Sequence, residues 1–386
     1  MTYKVAIYCP DQHFYYDPAS IEKNGAGGGL MARIRLAQAL ARLGHQPYII
    51  ANLTGSTVHK GVTYLPLIQA DALKDVDILI MISSGGALSL EPALNLKIQA
   101  RLREVWLQGT IPIQAVERLP HDFIVGASNF ICDTVENEWG LTNPKLFAIY
   151  NGAVVRKSHW WNAASTRDSF ALTYTSHPSK GLDASIAVLN LLRKRDDRFK
   201  LHVFGGDALW GGKDQSVSVP GVIYHGTQGQ DKVLKALEEA NISLHLQARL
   251  EPFGMVVTEA MIHGSIPVAS PVGAYNEIVR DGYDGFLVPG EHTSTEVHQK
   301  TANLIYNLAT TPEYAEYIRR QALNMPWTWD TQAKTWLQHW DWALEKKGMT
   351  FSPDHSHCLR CEGAWLLTAD GYHCTQCGRY SRDGKA

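Results

Sequence analysis

A chain of 386 residues with 45% hydrophobic and 19% charged residues has apolar sequence enough for more than one sizeable core, which excludes disorder as its main state. Its 36 Lys plus Arg nearly cancel its 38 Asp plus Glu, and the formal charge of -2 gives no global field to draw it onto DNA, RNA or an anionic membrane, leaving only local basic patches. The opening MTYKVAIYCP holds no apolar stretch of signal-peptide length and no lipid-spanning run follows, so a cytoplasmic protein without a transmembrane segment is expected.

In chain order, YKVAIYC at 3–9 is a β-branched and aromatic run that predicts a buried first strand. The glycine-rich NGAGGG at 24–29 comes next, and MARIRLAQALARLGH at 31–45 predicts an amphipathic helix stopping at Gly44. Glycines so placed stand where a doubly wound sheet presents its strand ends to ligands. The segments PYIIAN at 47–52, VDILIMIS at 76–83, REVWLQG at 103–109, DFIVGAS at 122–128 and KLFAIYNG at 145–152 continue a series of short apolar strands. The stretch KSHWWNAASTRD at 157–168 lacks periodicity and predicts an interdomain linker. Alternation then restarts with SFALTYTS at 169–176, FKLHVFGG at 199–206, GVIYHG at 221–226, NISLHLQ at 241–247 and SIPVAS at 265–270. Two α/β domains are predicted, over 1–163 and 164–326, the second closed by helical patterns at 296–308 and 311–323.

The segment WTWDTQAKTWLQHWDWAL at 327–344 carries Trp327, Trp329, Trp336, Trp340 and Trp342 on a helix-prone stretch. Residues 327–350 are expected to cross back toward the first domain; the alternative is a terminal helix covering only its own domain. Two of the six cysteines, Cys9 and Cys132, stand alone and are expected to fill core positions as small hydrophobes.

In the second domain RLEPFGMVVTEAMIHG at 249–264 follows a strand and is expected to open a helix, with Pro252 at an early helical position and the amides of that end free to receive an anion. Glu251 and Glu259, eight positions apart, then face the same way over just above two turns, one to address a sugar and the other a ribose. The plainer alternative makes Glu251 a helix-start acid and Glu259 a solvent-facing residue. Against it, SHPSKGLD at 176–183 offers Lys180 to phosphate oxygens after a strand, and PVGAYNE at 271–277 follows another, so three loops converge on one strand-end crevice.

These residues resemble the retaining glycosyltransferases of family four. Their central motif, a Glu, seven residues and a second Glu, stands here as EPFGMVVTE at 251–259, and PVGAYNEIVRDGYDGFLVP at 271–289 is similar to the continuation of the family's donor domain. Gly27, Gly28 and Gly29, SNF at 128–130 and YNG at 150–152 extend the resemblance through the first domain, to about residue 345. The resemblance implies a GT-B fold of two facing Rossmann-like domains, the first acceptor-side and the second binding a nucleotide-activated sugar. It assigns the ribose to Glu259, and positioning of the transferred sugar to Glu251 with backbone of Phe253, Gly254 and Met255. Lys180, helped by amides near Gly28 and Gly29, would neutralise the leaving diphosphate, whose charge develops as the anomeric C–O bond breaks.

Two positions depart from the family pattern. Thr175 stands where an Arg usually precedes the phosphate Lys by five residues, with His177 between them as a partial replacement or a cap. Gln108, in WLQGTIP at 106–112, stands where many relatives place a catalytic-centre His; it orients a hydroxyl but is no imidazole base, and His121 comes later. The implied route is front-face substitution in which donor phosphate takes the acceptor proton, so Glu251 is not assigned as a covalent nucleophile. No acidic pair resembles an Asp-x-Asp metal clamp, and activity without a catalytic divalent metal is expected.

The last thirty residues carry CLRC at 358–361 and, twelve residues on, CTQC at 374–377. Two Cys-x-x-Cys corners, Cys358, Cys361, Cys374 and Cys377, can surround one tetrahedral Zn2+ in a closed structural site, and AWLLTAD and GYH between them read as a short hairpin. A zinc-ribbon-like module over 351–386 is expected, serving a structural role or contacting nucleic acid or protein with help from Arg360 and Arg379.

The expected function is transfer of a sugar, a hexose on a UDP donor being favoured, to an acceptor hydroxyl left open among lipid, carbohydrate, small molecule, protein and modified DNA. The alternatives are a nucleotide-sugar-binding or nucleic-acid/protein-binding module without turnover, and a dehydrogenase. The last is disfavoured because NGAGGG starts well after its strand rather than in the immediate turn.

Overall fold

The computed structural model describes residues 2–12, 14–24, 26–83, 89–142, 144–156, 167–207, 218–346, 365–368, 371–374 and 380–381. The chain divides into two compact units, one of residues 1–16, 33–150 and 329–386 and the other of residues 17–32 and 151–328. The proposed linker, 157–168, lies outside the described residues except for its last two.

The first unit is built on strands β1 (Lys4–Tyr8), β2 (Gln46–Ala51), β3 (Thr57–His59), β4 (Val62–Pro66), β5 (Asp75–Met81), β6 (Gln99–Leu107), β7 (Phe123–Gly126) and β8 (Leu146–Ala148), in the order β3-β4-β2-β1-β5-β6-β7-β8. Every pairing is parallel except β3 with β4, a short hairpin turning at Lys60 and Gly61. A parallel sheet is covered on both faces, so its central strands read as unbroken apolar runs. In β1 Ile7 lies opposite Ile49 of β2 and Ile80 of β5, and all three are fully buried.

Helix α1 (Pro18–Asn24) precedes α2 (Gly28–Arg42), whose Ile34, Leu36, Ala37 and Leu40 are buried at helical spacing. Helix α3 (Asn129–Glu138) starts at Ser128, whose Oγ accepts the Ile131 N–H at 3.2 Å and so satisfies one of the helix's unpaired donors.

The two lone cysteines differ from each other. Cys132 is buried on α3. Cys9, just past β1, is buried too, but it is no plain hydrophobe: its thiol donates to Asp11 Oδ2 at 3.2 Å and accepts from Arg33 Nη1. Arg33 also donates to Tyr16 Oη at 2.6 Å, and Ser83 Oγ donates to Asp11 Oδ1 at 2.9 Å. A guanidinium that is 1% exposed cannot be left unpaired, and the thiol is one of the groups that surround it. Burial pushes the Cys9 thiol up, so it is held as a thiol rather than a reactive thiolate.

The second unit repeats the architecture with β9 (Asp168–Thr175), β10 (Lys200–Phe204), β11 (Val222–Gly226), β12 (Ala240–His245), β13 (Ile266–Ala269) and β14 (Phe286–Leu287), all parallel, in the order β11-β10-β9-β12-β13-β14. Its helices are α4 (Leu182–Arg193), α5 (Gln230–Glu239), α6 (Met255–Ile262), α7 (Tyr275–Ile278), α8 (Thr295–Thr310) and α9 (Pro312–Leu323). One continuous core runs through Leu172, Val188, Leu201, Ile242, Val268, Phe286, Ile305 and Ile318, drawing on five strands and three helices. The sheet order reverses between β9 and β12, the point at which open α/β sheets take ligands beyond their strand ends.

The terminal helix α10 (Trp329–Lys346) belongs to the first unit and packs on its sheet. Trp336 meets Trp106 of β6 edge-on at 5.3 Å between ring centres, and Trp340 meets Tyr3 at 6.1 Å. Glu104 of β6, with no exposed surface, accepts from His339 Nε2 at 2.5 Å and from Trp340 Nε1 at 2.9 Å. The tryptophan stripe is thus a core face, with one buried carboxylate setting its register.

Near the C-terminus β15 (Trp365–Thr368), β16 (Gly371–Cys374) and β17 (Tyr380–Ser381) form a three-stranded antiparallel sheet, with Trp365 opposite Cys374. Cys358, Cys361 and Cys377 lie outside the described residues, as does the side chain of Cys374. Among the described residues no helix is long and apolar enough to cross a membrane.

Candidate functional site

The chemistry-bearing residues of the second unit gather at the carboxyl ends of β9, β12 and β13. After β9 the chain turns through a single 3-10 turn at Pro178–Lys180 and enters α4. His177 caps that turn, its Nδ1 accepting the Ser179 N–H at 3.2 Å, while its Nε2 stands 3.3 Å from Asp207 Oδ1. Burial lowers the His177 pKa even though Asp207 opposes the shift, so the imidazole acts as a neutral cap rather than a standing cation. Gly181 follows with φ +92, and a Cβ there would lie 1.7 Å from the Leu246 carbonyl oxygen. Only glycine fits, and its fit presses the Lys180 turn directly onto the end of β12.

Lys180 and Glu251 meet in this space. The Lys180 ammonium donates to Glu251 Oε1 and, at 3.2 Å, to Oε2, with side-chain exposures of 21% and 8%. Two of the three ammonium donors are used on the carboxylate, and the third remains for another acceptor. The pair is sheltered enough for its charges to be felt strongly and open enough for a ligand to reach.

Helix α6 begins at Met255, not near Pro252, so the expected helical stretch from 251 to 259 is not formed. Glu251 and Pro252 lie in the loop before it, and the relation between the two glutamates is set by that loop instead of by helical spacing. The cause is Gly254, with φ +100: it reverses the chain into the helix, its carbonyl taking the Val257 N–H at 3.0 Å. A Cβ on Gly254 would fall 2.4 Å from the ring of Tyr275, so the loop and α7 are in tight contact. The loop after β13 closes the other side, with the Ala274 N–H donating to the Glu251 carbonyl at 2.9 Å. Phe253 is buried and meets Trp327 edge-on at 6.2 Å.

Glu259 lies within α6 and is 8% exposed, which removes the solvent-facing alternative. Its Oε1 accepts from Gln230 Nε2 of α5 at 2.6 Å. Gly28, at the first residue of α2, sits beside the start of α6: a Cβ on Gly28 would be 3.3 Å from Met255 Sδ. Gly29 is the next helical residue. The start of the glycine-rich helix and the EPFG loop therefore adjoin, as do Lys180 and Glu251, whereas Gln108 stands half-buried just past β6 in the first unit. Thr175 ends β9 with its Oγ1 buried.

Gln230, Tyr275 and Asp207 were not singled out by sequence reasoning. Gln230 is 29 positions from the carboxylate it serves, and nothing local marks it as a partner. Beneath the site His245 of β12 is enclosed, and burial depresses its pKa to about 3, with the Lys180 charge adding to the shift. Its Nε2 and Ser243 Oγ share a hydrogen bond at 2.8 Å.

The two units are Rossmann-like α/β assemblies consistent with the GT-B fold. Residues 164–324 match the family model described as glycosyl transferases group 1. Over 191 residues the chain is 29% identical to an uncharacterized glycosyltransferase of Methanocaldococcus jannaschii, covering 48% of this chain and 50% of that protein. Among solved structures it is similar to Anabaena HepE in complex with UDP-glucose, with a TM-score of 0.59, 17% identity and coverage of 86% and 99% of the two chains. It is likewise similar to sucrose-phosphate synthase of Thermosynechococcus elongatus, with a TM-score of 0.62, 14% identity and coverage of 89% and 100%. The match covers between 18% and 50% of the length of the curated relatives.

Proposed function

We propose that this protein is a retaining glycosyltransferase that moves a hexose from a nucleotide-sugar donor, UDP-linked, to an acceptor hydroxyl. The observation that carries the reading is the Lys180–Glu251 pair at the point where the sheet order reverses, beside the start of α6. Lys180 takes the departing diphosphate together with helix-terminal amides near Met255 and Gly28; Glu251 orients the sugar and Glu259 holds the ribose. Front-face departure and attack let donor phosphate accept the proton of the incoming hydroxyl, so configuration is kept with no protein nucleophile. The HepE structure, which holds UDP-glucose, supports a UDP donor. Gln108 is assigned to orient a sugar hydroxyl.

Because Lys180 and backbone amides meet the diphosphate charge, turnover needs no catalytic Mg2+ or Mn2+. The four terminal cysteines are assigned to one structural Zn2+ in a ribbon available to a nucleic acid or protein, and the protein is placed in the cytoplasm. The antiparallel pairing of β15 with β16 supports the ribbon reading.

A panel of sugar nucleotides, read by mass spectrometry for hydrolysis and for ligand-dependent protection, tests the function. A UDP-hexose should be slowly hydrolysed, and Glu251→Gln should lower its turnover about 100-fold with the melting temperature nearly unchanged. Absence of binding by every sugar nucleotide would remove the reading. Equal loss of fold and activity in Glu251→Gln would make Glu251 a structural residue.

A further inference from the structure

The carboxyl ends of β9 and β12 carry two buried side-chain oxygens, Thr175 Oγ1 and Gln247 Oε1, that no group among the described residues meets. Folded interiors pair nearly all such atoms, because a dry, unpaired acceptor is costly. These two flank the reversal of sheet order, and Gln247 is only 4% exposed.

The surroundings of Gln247 are those of the site itself. A Cβ on Gly181, the residue after Lys180, would lie 3.5 Å from Gln247 Cα. Gln247 Nε2 reaches Tyr275 Oη at 3.4 Å, and the Tyr275 ring is the one that abuts Gly254. The backbone N–H of Gln247 donates to Ser270 Oγ at 3.0 Å, which ties its main chain to the end of β13. A primary amide offers two donors and an acceptor, and one long bond to Tyr275 uses little of that capacity. An amide presents either end by a flip, so its natural partner is a group that both donates and accepts. A sugar hydroxyl does both, whereas a phosphate oxygen only accepts and has Lys180 to serve it.

We propose that Gln247 is a donor-recognition residue whose side-chain amide hydrogen-bonds a hydroxyl of the sugar carried by the nucleotide. The assignment rests on the glycosyltransferase reading and goes beyond it by naming a residue that reads the sugar and not the nucleotide. It is tested by titration calorimetry with UDP and with UDP-glucose on the full chain and on Gln247→Met and Gln247→Asn. The expected result is about a tenfold rise in the Kd for UDP-glucose with the Kd for UDP unchanged, a split that a merely structural residue would not produce. Among deoxy analogues of UDP-glucose, one should bind the unaltered protein about tenfold more weakly, and Gln247→Met should add no further loss with that analogue. Variants that bind UDP-glucose as the unaltered protein does, or that lose UDP and UDP-glucose in parallel, overturn the assignment. Should neither variant fold, a series in which every deoxy analogue binds the unaltered protein as tightly as UDP-glucose overturns it equally. Failure of the unaltered protein to bind either UDP or UDP-glucose would instead remove the UDP-donor reading on which the assignment rests.

Discussion

Gly254 shows how much of the candidate site depends on a single backbone torsion. With φ at +100 and the Tyr275 ring within 2.4 Å of where a Cβ would stand, Gly254→Ala combines a left-handed strain of about 2 kcal/mol with a steric clash. The expected outcome is a lower denaturation midpoint and a loss of donor binding together, since the Glu251 loop and α7 share that contact; calorimetry and denaturant titration on one sample check both. His245 provides a pH signature. Its folded pKa, near 3, lies below the ordinary value of about 6.5, so the unfolded chain binds the extra proton and stability falls as pH drops from about 6.5 toward 3. His245→Gln should flatten this part of the stability–pH curve relative to the unaltered protein; an unchanged slope would mean that His245 is not held neutral in the fold. Lys180, Glu251 and Glu259 stand out in the sequence because charged residues in glycine-marked segments after apolar strands are a local pattern. Gln230 and Gln247 do not, because their roles are set by neighbours 29 and 28 positions away.

Among the elements, the parallel strands were the most legible, since burial on both faces writes them as apolar runs: VDILIM and FIVG appear in the fold within a residue or two of where the pattern puts them. The β3–β4 hairpin was not, being a short edge pair with Thr57 and Val58 exposed and no run to mark it. The start of α6 was misplaced because Pro252 is a good opening residue in isolation, while Gly254 and its contact with Tyr275 decide the true boundary. The attachment of α10 depends on Glu104, a charged residue in the middle of β6 that gives no sign of its partners in sequence. Glu104→Leu would leave His339 Nε2 and Trp340 Nε1 buried and unpaired, and should cost about 3 kcal/mol in chemical denaturation. Adding His339→Leu should recover part of that loss, because one of the orphaned groups is removed with it.

For the whole molecule, the repeat of strand and helix predicts two α/β units, and these are built on sheets of eight and six described strands, parallel except for the β3–β4 pair. The grouping of residues 17–32 with the second unit could not be read from the pattern, because an apolar helix face does not state which sheet it will cover. The terminal cysteines make a separate prediction. Purified protein should carry one zinc ion per chain, and a chain ending at residue 346 should retain hydrolysis of the sugar nucleotide while losing the zinc. Metal analysis and the same mass-spectrometric assay check this; a metal-free protein with four reactive thiols would exclude the ribbon.

Local matters are legible in the sequence: which segments are strands, that they alternate with helices, and which loops carry charged side chains. These follow from periodicity and residue chemistry over a few positions. Tertiary structure decided which of those charges meet. The Lys180–Glu251 pair, the Gln230 contact with Glu259 and the burial of Glu104 join residues 71, 29 and about 235 positions apart. Such contacts exist only once the parallel sheets bring distant strand ends side by side, and a folded interior then favours a partner for nearly every buried charge and hydrogen-bonding group.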